Sequence, residues 1–298
     1  MIAPSARALL AELVDYAGLF PPAALSMDGA VAEYARWRRS PEAWMLGRFV
    51  LPAARLAELS RAADAYLPEP GGGEPWPLSA LLGADTRGDA ALVDSFNRAQ
   101  AARAAVDAVE LKAGGPEEAD EALEALPAWL AAFVEVPLDT DRGALLAVLK
   151  ARGARAKVRT GGVVPEAIPE PLALARFVAA CAAAGVPFKA TAGLHHPVRA
   201  EHALTYEPGA PRAAMHGFVN VFAAAALARS GAALAELEAL LSEEDPSAFR
   251  FEPDGLRWRG RLLPADALGR ARREFSLSFG SCSFAEPVAD LRTLGVIA

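Results

Sequence analysis

Residues 156–193 read AKVRTGGVVPEAIPEPLALARFVAACAAAGVPFKATAG, and their pattern is the clearest indication of the fold. Two short apolar runs, Ala156–Thr160 and Phe188–Gly193, flank Leu172–Ala184, in which apolar residues recur with helical spacing. Glycine and proline separate the three segments, as they do at the ends of helices and strands. Because parallel strands need a crossover of a dozen or more residues, usually a helix, the stretch predicts one strand–helix–strand unit of a parallel sheet.

The same alternation continues along the chain in both directions. Six further strands are predicted, namely Gly47–Pro52, Leu78–Gly83, Val106–Lys112, Ala132–Pro137, Gly217–Phe222 and Phe275–Gly280. The other predicted helices are Ala54–Tyr66, Asp89–Ala102, Glu117–Leu130, Arg142–Arg152, Ala223–Leu241 and Pro287–Leu294. Eight such units predict an α/β protein, a (β/α)8 TIM barrel. The competing fold is a doubly wound open sheet, but no G-x-G-x-x-G follows the first predicted strand.

Two segments depart from this pattern within what we expect to be one domain, residues 1–298. Residues 1–46 form an N-terminal helical extension, and its Tyr16–Pro22 connection is expected to cover one mouth of the barrel, residues 47–298. A β-hairpin insertion at about 248–260, centred on Asp254-Gly255, precedes a helix, Pro264–Arg273, and the last strand.

Composition narrows the function classes. The chain is 53% hydrophobic with a formal net charge of −7, which predicts no nucleic-acid partner and no affinity for an anionic membrane. The sequence shows neither an uncharged apolar stretch long enough for a membrane span nor a signal-peptide pattern at its start, so we expect a cytoplasmic protein. Two cysteines do not make a disulfide framework. Apolar helix faces would allow a homo-oligomer.

Lysine is rare in this chain. Only four of the 30 basic residues are lysine: Lys112, Lys150, Lys157 and Lys189. Surface positions tolerate either cation, whereas only lysine supplies a compact amine that can lose its proton. Three of the four fall in predicted strands, so we interpret them as candidates for chemistry.

Active sites of barrel enzymes lie at the C-terminal ends of the strands. Strand alternation turns one set of polar side chains toward the barrel axis there: Glu110, Lys112, Glu135, Lys157, Arg159, Lys189, Thr191 and Asn220. Buried charges of this kind must pair, and such clusters are more often functional than purely structural.

The run Phe188-Lys189-Ala190-Thr191-Ala192-Gly193 places a lysine on the sixth predicted strand, four residues before a glycine. Lys157 and Arg159 on the neighbouring strand are expected to lower the pKa of Lys189, and a neutral amine can attack a carbonyl or act as a base. These six residues resemble the class I aldolase barrels, deoxyribose-phosphate aldolase especially. The resemblance implies that Lys189 forms a Schiff base, with Lys157 or Lys112 as its electrostatic helper. The alternative is a salt bridge from Lys189 to Glu110 or Glu135.

Loops after the strands add further candidates. His195 and His196 follow the sixth predicted strand and are expected at the mouth, as acid/base groups or metal ligands. Ser281, Cys282 and Ser283, and separately Thr160 and Gly161, could bind an anion, although ordinary tight turns are equally compatible with both loops. Cys282 is either a nucleophile or, in our preferred interpretation, a small buried thiol.

These residues predict a lyase or isomerase for a small anionic carbonyl compound, with Lys189 as nucleophile or base. Glu110, Glu135 and a histidine would transfer protons, and Arg159 with Lys157 would bind the substrate's charge. No cofactor is predicted. A second hypothesis is a divalent-metal isomerase or hydrolase that uses Glu110, Glu135 and His195 as ligands. The third is a non-catalytic binding protein on a barrel scaffold.

Overall fold

The computed structural model describes residues 2–100, 102–139 and 142–298. Its centre is a closed barrel of eight parallel strands: β1 (Val14–Tyr16), β2 (Leu46–Pro52), β3 (Trp76–Leu81), β4 (Ala104–Leu111), β5 (Ala131–Glu135), β6 (Arg155–Arg159), β7 (Phe188–Thr191) and β13 (Ser276–Ser281). Their order around the barrel is β1-β13-β7-β6-β5-β4-β3-β2. Five short strands lie outside the barrel: β8 (Ala200–Ala203), β9 (Arg212–Met215), β10 (Phe249–Phe251), β11 (Gly255–Trp258) and β12 (Arg261–Pro264). The predicted (β/α)8 barrel is confirmed.

Helices alternate with the barrel strands and cover their outer faces. They are α1 (Pro4–Leu10), α2 (Met27–Arg38), α3 (Leu56–Ala63), α4 (Thr86–Ala99), α5 (Pro116–Glu124), α6 (Gly143–Ala151), α7 (Pro171–Ala184), α8 (Phe218–Arg229), α9 (Leu234–Leu241), α10 (Ala265–Glu274) and α11 (Ala285–Thr293). Short 3-10 turns occupy Ala43–Met45, Ala53–Arg55, Pro165–Ala167 and Pro246–Ala248. The helix predicted at Asp89–Ala102 ends at Ala99, and Ala101 lies outside the described residues.

One helical stretch in the described part of the chain, Pro165–Ala184, is long and apolar enough by composition to cross a membrane. It comprises a 3-10 turn and α7, and α7 packs against the barrel in this structure. Phe177 of α7 is buried and meets Phe188 of β7 edge-on, with 5.4 Å between ring centroids. The apolar residues of this stretch therefore include the face that covers the sheet.

The first barrel strand lies inside the segment that the sequence assigned to an N-terminal extension. Val14–Tyr16 pairs in parallel with both β13 and β2 and so closes the barrel. A strand of three residues, all of them buried, is too short to show the alternation by which strands are recognised. Counted from β1, Lys157 lies on the sixth barrel strand and Lys189 on the seventh.

The strand predicted at Gly217–Phe222 is wrong, because these residues begin helix α8. Every residue from Phe218 to Leu227 is buried, so the helix lacks the polar face that produces a helical period in the sequence. The helix predicted at Ala223–Leu241 is in fact two helices, separated where Gly231 adopts a φ of +81°.

Two insertions lie in the loops. The hairpin predicted near residues 248–260 is present as β10 and β11, and β12 extends it to an antiparallel sheet of three strands. The second insertion, the antiparallel hairpin β8–β9, follows β7 and was not predicted. Its residues Leu204 and Met215 line a cavity at the C-terminal end of the barrel, so this hairpin forms part of the barrel mouth.

Candidate active site

A cavity of about 400 Å³ opens at the C-terminal ends of the barrel strands. Its polar lining comes from strand ends and the loops that follow them: Glu110, Lys112, Glu135, Lys157, Arg159, Thr191, His195 and Cys282. Apolar side chains complete the wall, among them Phe20, Pro21, Pro22, Val163, Leu204 and Met215. A cavity of this size with few convergent polar groups and apolar walls is typical of a small-molecule site.

Lys189 lies beneath this cavity, in a fully buried ion-pair cluster. Its ammonium group donates to Asp15 Oδ2 at 2.6 Å and to Glu110 Oε1 at 2.7 Å. Ser278 also donates to Asp15 Oδ2, at 2.7 Å, and Ser79 donates to Glu110 Oε1, at 2.9 Å. Each buried carboxylate therefore has both a cationic and a hydroxyl partner, as buried charges require.

These contacts keep Lys189 charged. Burial alone would lower the pKa of Lys189, but the carboxylates of Asp15 and Glu110 outweigh burial and raise it above its ordinary value. Burial would likewise raise the pKa of Glu110, yet Lys189 and Lys157 hold it well below the usual range. The expectation that Lys157 and Arg159 lower the pKa of Lys189 is wrong, because Asp15 on β1 and Glu110 both contact its ammonium group. The structure contains the salt bridge from Lys189 to Glu110, which the sequence predicted as the alternative to a Schiff base.

Lys157 occupies a different position, because its side chain is buried but lines the cavity. Its Nζ lies 3.3 Å from Glu110 Oε2 and 3.2 Å from Glu135 Oε2. Glu135 Oε2 makes no hydrogen bond of good geometry within the described residues despite this ion pair. The cavity floor thus presents one amine with a carboxylate on each side of it.

Two cations stand at the cavity rim with only weak pairing. Arg159 Nε is 3.7 Å and Lys112 Nζ is 4.0 Å from Glu135 Oε1, and their side chains are 48% and 75% exposed. Exposed pairs at such distances contribute little. Both side chains therefore remain available to an anionic group of a ligand, whereas Glu110, two residues before Lys112, pairs with the buried lysines.

His195 connects the cavity to helix α11. Its Nδ1 is 2.8 Å from Glu286 Oε2, and Tyr206 donates to the same oxygen at 3.0 Å. Burial opposes protonation of the imidazole, but hydrogen bonds with Cys282 and Glu286 raise the pKa of His195 to about 9. His195 therefore carries a positive charge at neutral pH.

His196 turns away from the cavity lining. Its Nδ1 is 2.6 Å from Asp290 Oδ2, one helical turn beyond Glu286, and its ring stacks on His202 with 3.4 Å between centroids. Burial and the neighbouring His196 lower the pKa of His202 to about 4. The two consecutive histidines thus attach the loop after β7 to α11, and only His195 of the pair reaches the cavity.

Several predicted site residues have structural contacts instead. Asn220 does not face the barrel axis, because it lies on α8, where its amide donates to the carbonyl oxygens of Leu240 and Glu243. Thr160 donates to the carbonyl oxygens of Thr191 and Ala192. A Cβ on Gly161 would come within 3.0 Å of the Gly193 Cα, so these glycines permit a close approach of the two chain segments.

The loop after β13 uses its serine groups internally. Ser281 Oγ donates to the Ser283 carbonyl at 2.7 Å, and Ser283 Oγ accepts from the Glu286 N–H at 3.2 Å. Cys282 lies between them and lines the cavity. Ser281 therefore donates its hydroxyl proton within its own loop, while the cysteine has access to a ligand.

Sequence reasoning missed several residues that complete the site. These are Asp15, Ser79, Ser278, Tyr206 and Glu286. One signal was present for Asp15, a single acidic residue inside the apolar run Leu13-Val14-Asp15-Tyr16. Tyr206 lies in a segment where the sequence showed no periodicity. Glu286 lies three residues after the predicted Ser281–Ser283 loop but was not among the expected site residues.

The three residues proposed as metal ligands do not form one set. Glu110 and Glu135 both pair with Lys157, whereas His195 pairs with Glu286. Across residues 2–100, 102–139 and 142–298, no three His, Cys, Asp or Glu side chains are grouped so that they could hold an ion. No observation therefore favours the divalent-metal hypothesis over an amine-based one.

The sequence matches no protein-family model and no curated protein. The barrel and the geometry of its cavity are therefore the basis on which a function can be proposed.

Proposed function

We propose that this protein is an enzyme, a lyase or isomerase, that acts on a small anionic carbonyl compound through Lys157. The observation that carries the proposal is the difference between the two inner lysines. Lys157 faces the cavity between two carboxylates, whereas Lys189 is held as an ammonium beneath it by Asp15 and Glu110.

The strand count supports the same assignment. The resemblance to class I aldolase barrels rested on a lysine on the sixth strand, and the sixth strand of this barrel carries Lys157. Lys157 and Lys189 are directly opposite each other in the β6–β7 register. The Schiff-base role therefore belongs to Lys157, and Lys189 is its electrostatic neighbour.

The chemistry follows from the groups around the amine. Lys157 gives a proton to Glu135, and its nitrogen attacks the carbonyl carbon. The former carbonyl oxygen takes one proton from the nitrogen and the other back from Glu135 and leaves as water. The iminium that remains draws electrons from the adjacent carbon. Glu110 is a poor proton acceptor, because its neighbouring lysines lower its pKa. Glu135, whose Oε2 makes no hydrogen bond in the described structure, is the group we assign to proton transfer at the carbon next to the carbonyl.

The rim cations select the charge of the substrate. Arg159 and Lys112 share one carboxylate oxygen at long distances, so an incoming carboxylate or phosphate has two donors to bind. The cavity of about 400 Å³ limits the substrate to a small metabolite.

A proton-exchange experiment tests this function without knowledge of the natural substrate. Pyruvate and dihydroxyacetone phosphate, two small anionic ketones, are incubated with the protein in D2O, and loss of the proton signal at the carbon next to the carbonyl is followed by NMR. We expect the protein to accelerate exchange for at least one probe, and Lys157→Met to abolish the acceleration.

The matched control is Lys150→Met, because Lys150 is exposed on α6 and lies outside the cavity. It should exchange at the wild-type rate. Wild-type protein that accelerates exchange of neither ketone, or exchange that survives in Lys157→Met, would overturn the proposal.

A further inference from the structure

A second nucleophilic side chain faces the same cavity. Cys282 is only 7% exposed, but that exposed part lines the cavity beside His195. Its Sγ lies 3.7 Å from the Tyr206 hydroxyl, on the side of the β8–β9 hairpin. The proposed function of Lys157 makes no use of this thiol.

Cys282, His195 and Glu286 lie in one cluster, in which Tyr206 contacts both the sulfur and the glutamate. His195 lines the same cavity as Cys282, and its Nδ1 is 2.8 Å from Glu286 Oε2. Tyr206 holds the same glutamate oxygen from the other side, at 3.0 Å. A nucleophile, a base and a third group that orients the base make up the general pattern of an activated nucleophile.

We propose that Cys282, His195 and Glu286 form a second covalent site in this cavity, where the sulfur adds reversibly to the carbonyl carbon of a small aldehyde. The site is independent of Lys157, because its three groups come from the loops after β7 and β13 and from α11. An anionic aldehyde fits the cavity best, since the rim cations Arg159 and Lys112 serve both sites.

The addition balances without any further reactant. The protonated imidazole of His195 gives a proton to the carbonyl oxygen as the sulfur forms a bond to the aldehyde carbon and the π electrons move to that oxygen. The S–H proton of Cys282 then passes to the nitrogen that His195 has just freed, so the imidazole is protonated again. The product is a hemithioacetal, and the reverse sequence releases the aldehyde.

The charges around His195 agree with its role as the proton carrier. The groups that face it are Cys282, Glu286, Tyr206 and, at 6.3 Å between ring centroids, His196, which is itself paired with Asp290. Although burial disfavours the charged ring, its contacts with Cys282 and Glu286 raise the pKa of His195 to about 9. A positive imidazolium beside the sulfur stabilises the negative charge that passes between sulfur and oxygen during the addition.

The chain contains a built-in control in its other cysteine. Cys181 lies on α7, is fully buried, and does not line the cavity. Burial raises the pKa of Cys181 above its ordinary value. Alkylation of Cys181 therefore reports unfolding, and alkylation of Cys282 in folded protein reports the site.

The test measures the iodoacetamide alkylation rate of each cysteine by peptide mass spectrometry at about pH 6, where an ordinary thiol is mostly protonated. We expect Cys282 to react at least about tenfold faster in wild type than in His195→Gln, with Glu286→Gln in between. Cys181 should remain unlabelled in all three. Equal Cys282 rates in wild type and both variants would overturn the proposal. If Cys181 is labelled in His195→Gln, that variant is partly unfolded, and equal Cys282 rates in wild type and Glu286→Gln would then overturn the proposal.

Glyoxylate, an anionic aldehyde, is the probe for the covalent step. It should slow alkylation of Cys282 in wild type and equally in Lys157→Met, which separates this site from the proposed amine. Alkylation unaffected by glyoxylate in both proteins contradicts the thiol site alone. Protection that disappears in Lys157→Met shows that the aldehyde binds the amine instead, and this also overturns the thiol proposal.

Discussion

Lys157 and Lys189 lie opposite each other on neighbouring parallel strands and share one carboxylate. Lys157 Nζ is 3.3 Å from Glu110 Oε2, and Lys189 Nζ is 2.7 Å from Glu110 Oε1. Lys189 has a second buried carboxylate partner, Asp15, whereas Lys157 opens into the cavity and pairs with Glu135. Two lysines at adjacent positions thus have different surroundings, and we propose that Lys189 stabilises the barrel while Lys157 takes part in its chemistry.

Replacement of Lys189 by methionine should destabilise the protein by about 3–5 kcal/mol, because it leaves Asp15 and Glu110 buried without their shared cation. Urea unfolding measures this change. Lys150→Met is the control, since Lys150 donates only to the Gly185 carbonyl, at 3.1 Å, on the exposed surface; it should cost less than about 1 kcal/mol. Similar losses of unfolding free energy in both variants would show that the buried ion pairs of Lys189 contribute no more than the surface contact of Lys150.

Replacement of Glu135 by glutamine should slow proton exchange of the ketone probes by about 100-fold or more, because it removes the group assigned to proton transfer. Glu121→Gln, on the exposed face of α5, should leave exchange unchanged. Retention of the wild-type rate in Glu135→Gln would assign the proton transfer to another group in the cavity.

The rim cations should set affinity for the charge of the substrate. In the double variant Arg159→Gln, Lys112→Gln, the KM for an anionic ketone should rise about tenfold or more, and the rate at saturation should change less. Salt should weaken binding in wild type more than in the variant, because both side chains are largely exposed. A KM that is unchanged at low ionic strength would show that the anion binds elsewhere.

His195 should make stability depend on pH in the neutral to alkaline range. Its folded-state pKa of about 9 exceeds its ordinary value of 6.5, so the stability it contributes is complete below pH 6.5 and is lost as pH rises through 9. The free energy of unfolding of wild type minus that of His195→Gln should therefore fall over this interval.

His216 provides a control of the opposite sign. Burial, with a smaller effect of Arg199, lowers the pKa of His216 to about 4, although its bond to the Pro169 carbonyl opposes the shift. The stability difference between wild type and His216→Gln should be constant above pH 6.5 and decline as pH falls toward 4. If the stability difference between wild type and His195→Gln also declined only as pH falls toward 4, His195 would not be a charged imidazolium paired with Glu286.

The barrel could be predicted from sequence because its long strands alternate with amphipathic helices. The same alternation identified Glu110, Glu135, Lys157 and Arg159, and the structure brings them together at the cavity. β1 was not predicted, because a strand of three residues shows no period. Asp15, the partner of Lys189, lies on this strand, 174 residues away along the chain. An ion pair between such distant residues leaves no pattern in a single sequence.

The errors around residues 217–222 have a related cause. A helix buried on all sides and a buried strand are both continuous apolar runs, so the sequence could not separate them. The loops after β7 and β13 gave candidate residues, but only the fold shows that His195 and Cys282 meet there, while Ser281 and Ser283 bind their own loop.

The most direct test of the central claim is to identify which lysine forms a covalent adduct with a carbonyl probe. The protein is incubated with pyruvate, reduced with sodium borohydride, digested, and mapped by mass spectrometry. We expect a stable adduct on Lys157, none on Lys189, and none in Lys157→Met. An adduct on Lys189 in folded protein, or no adduct on Lys157 under conditions where ketone exchange is observed, would contradict it.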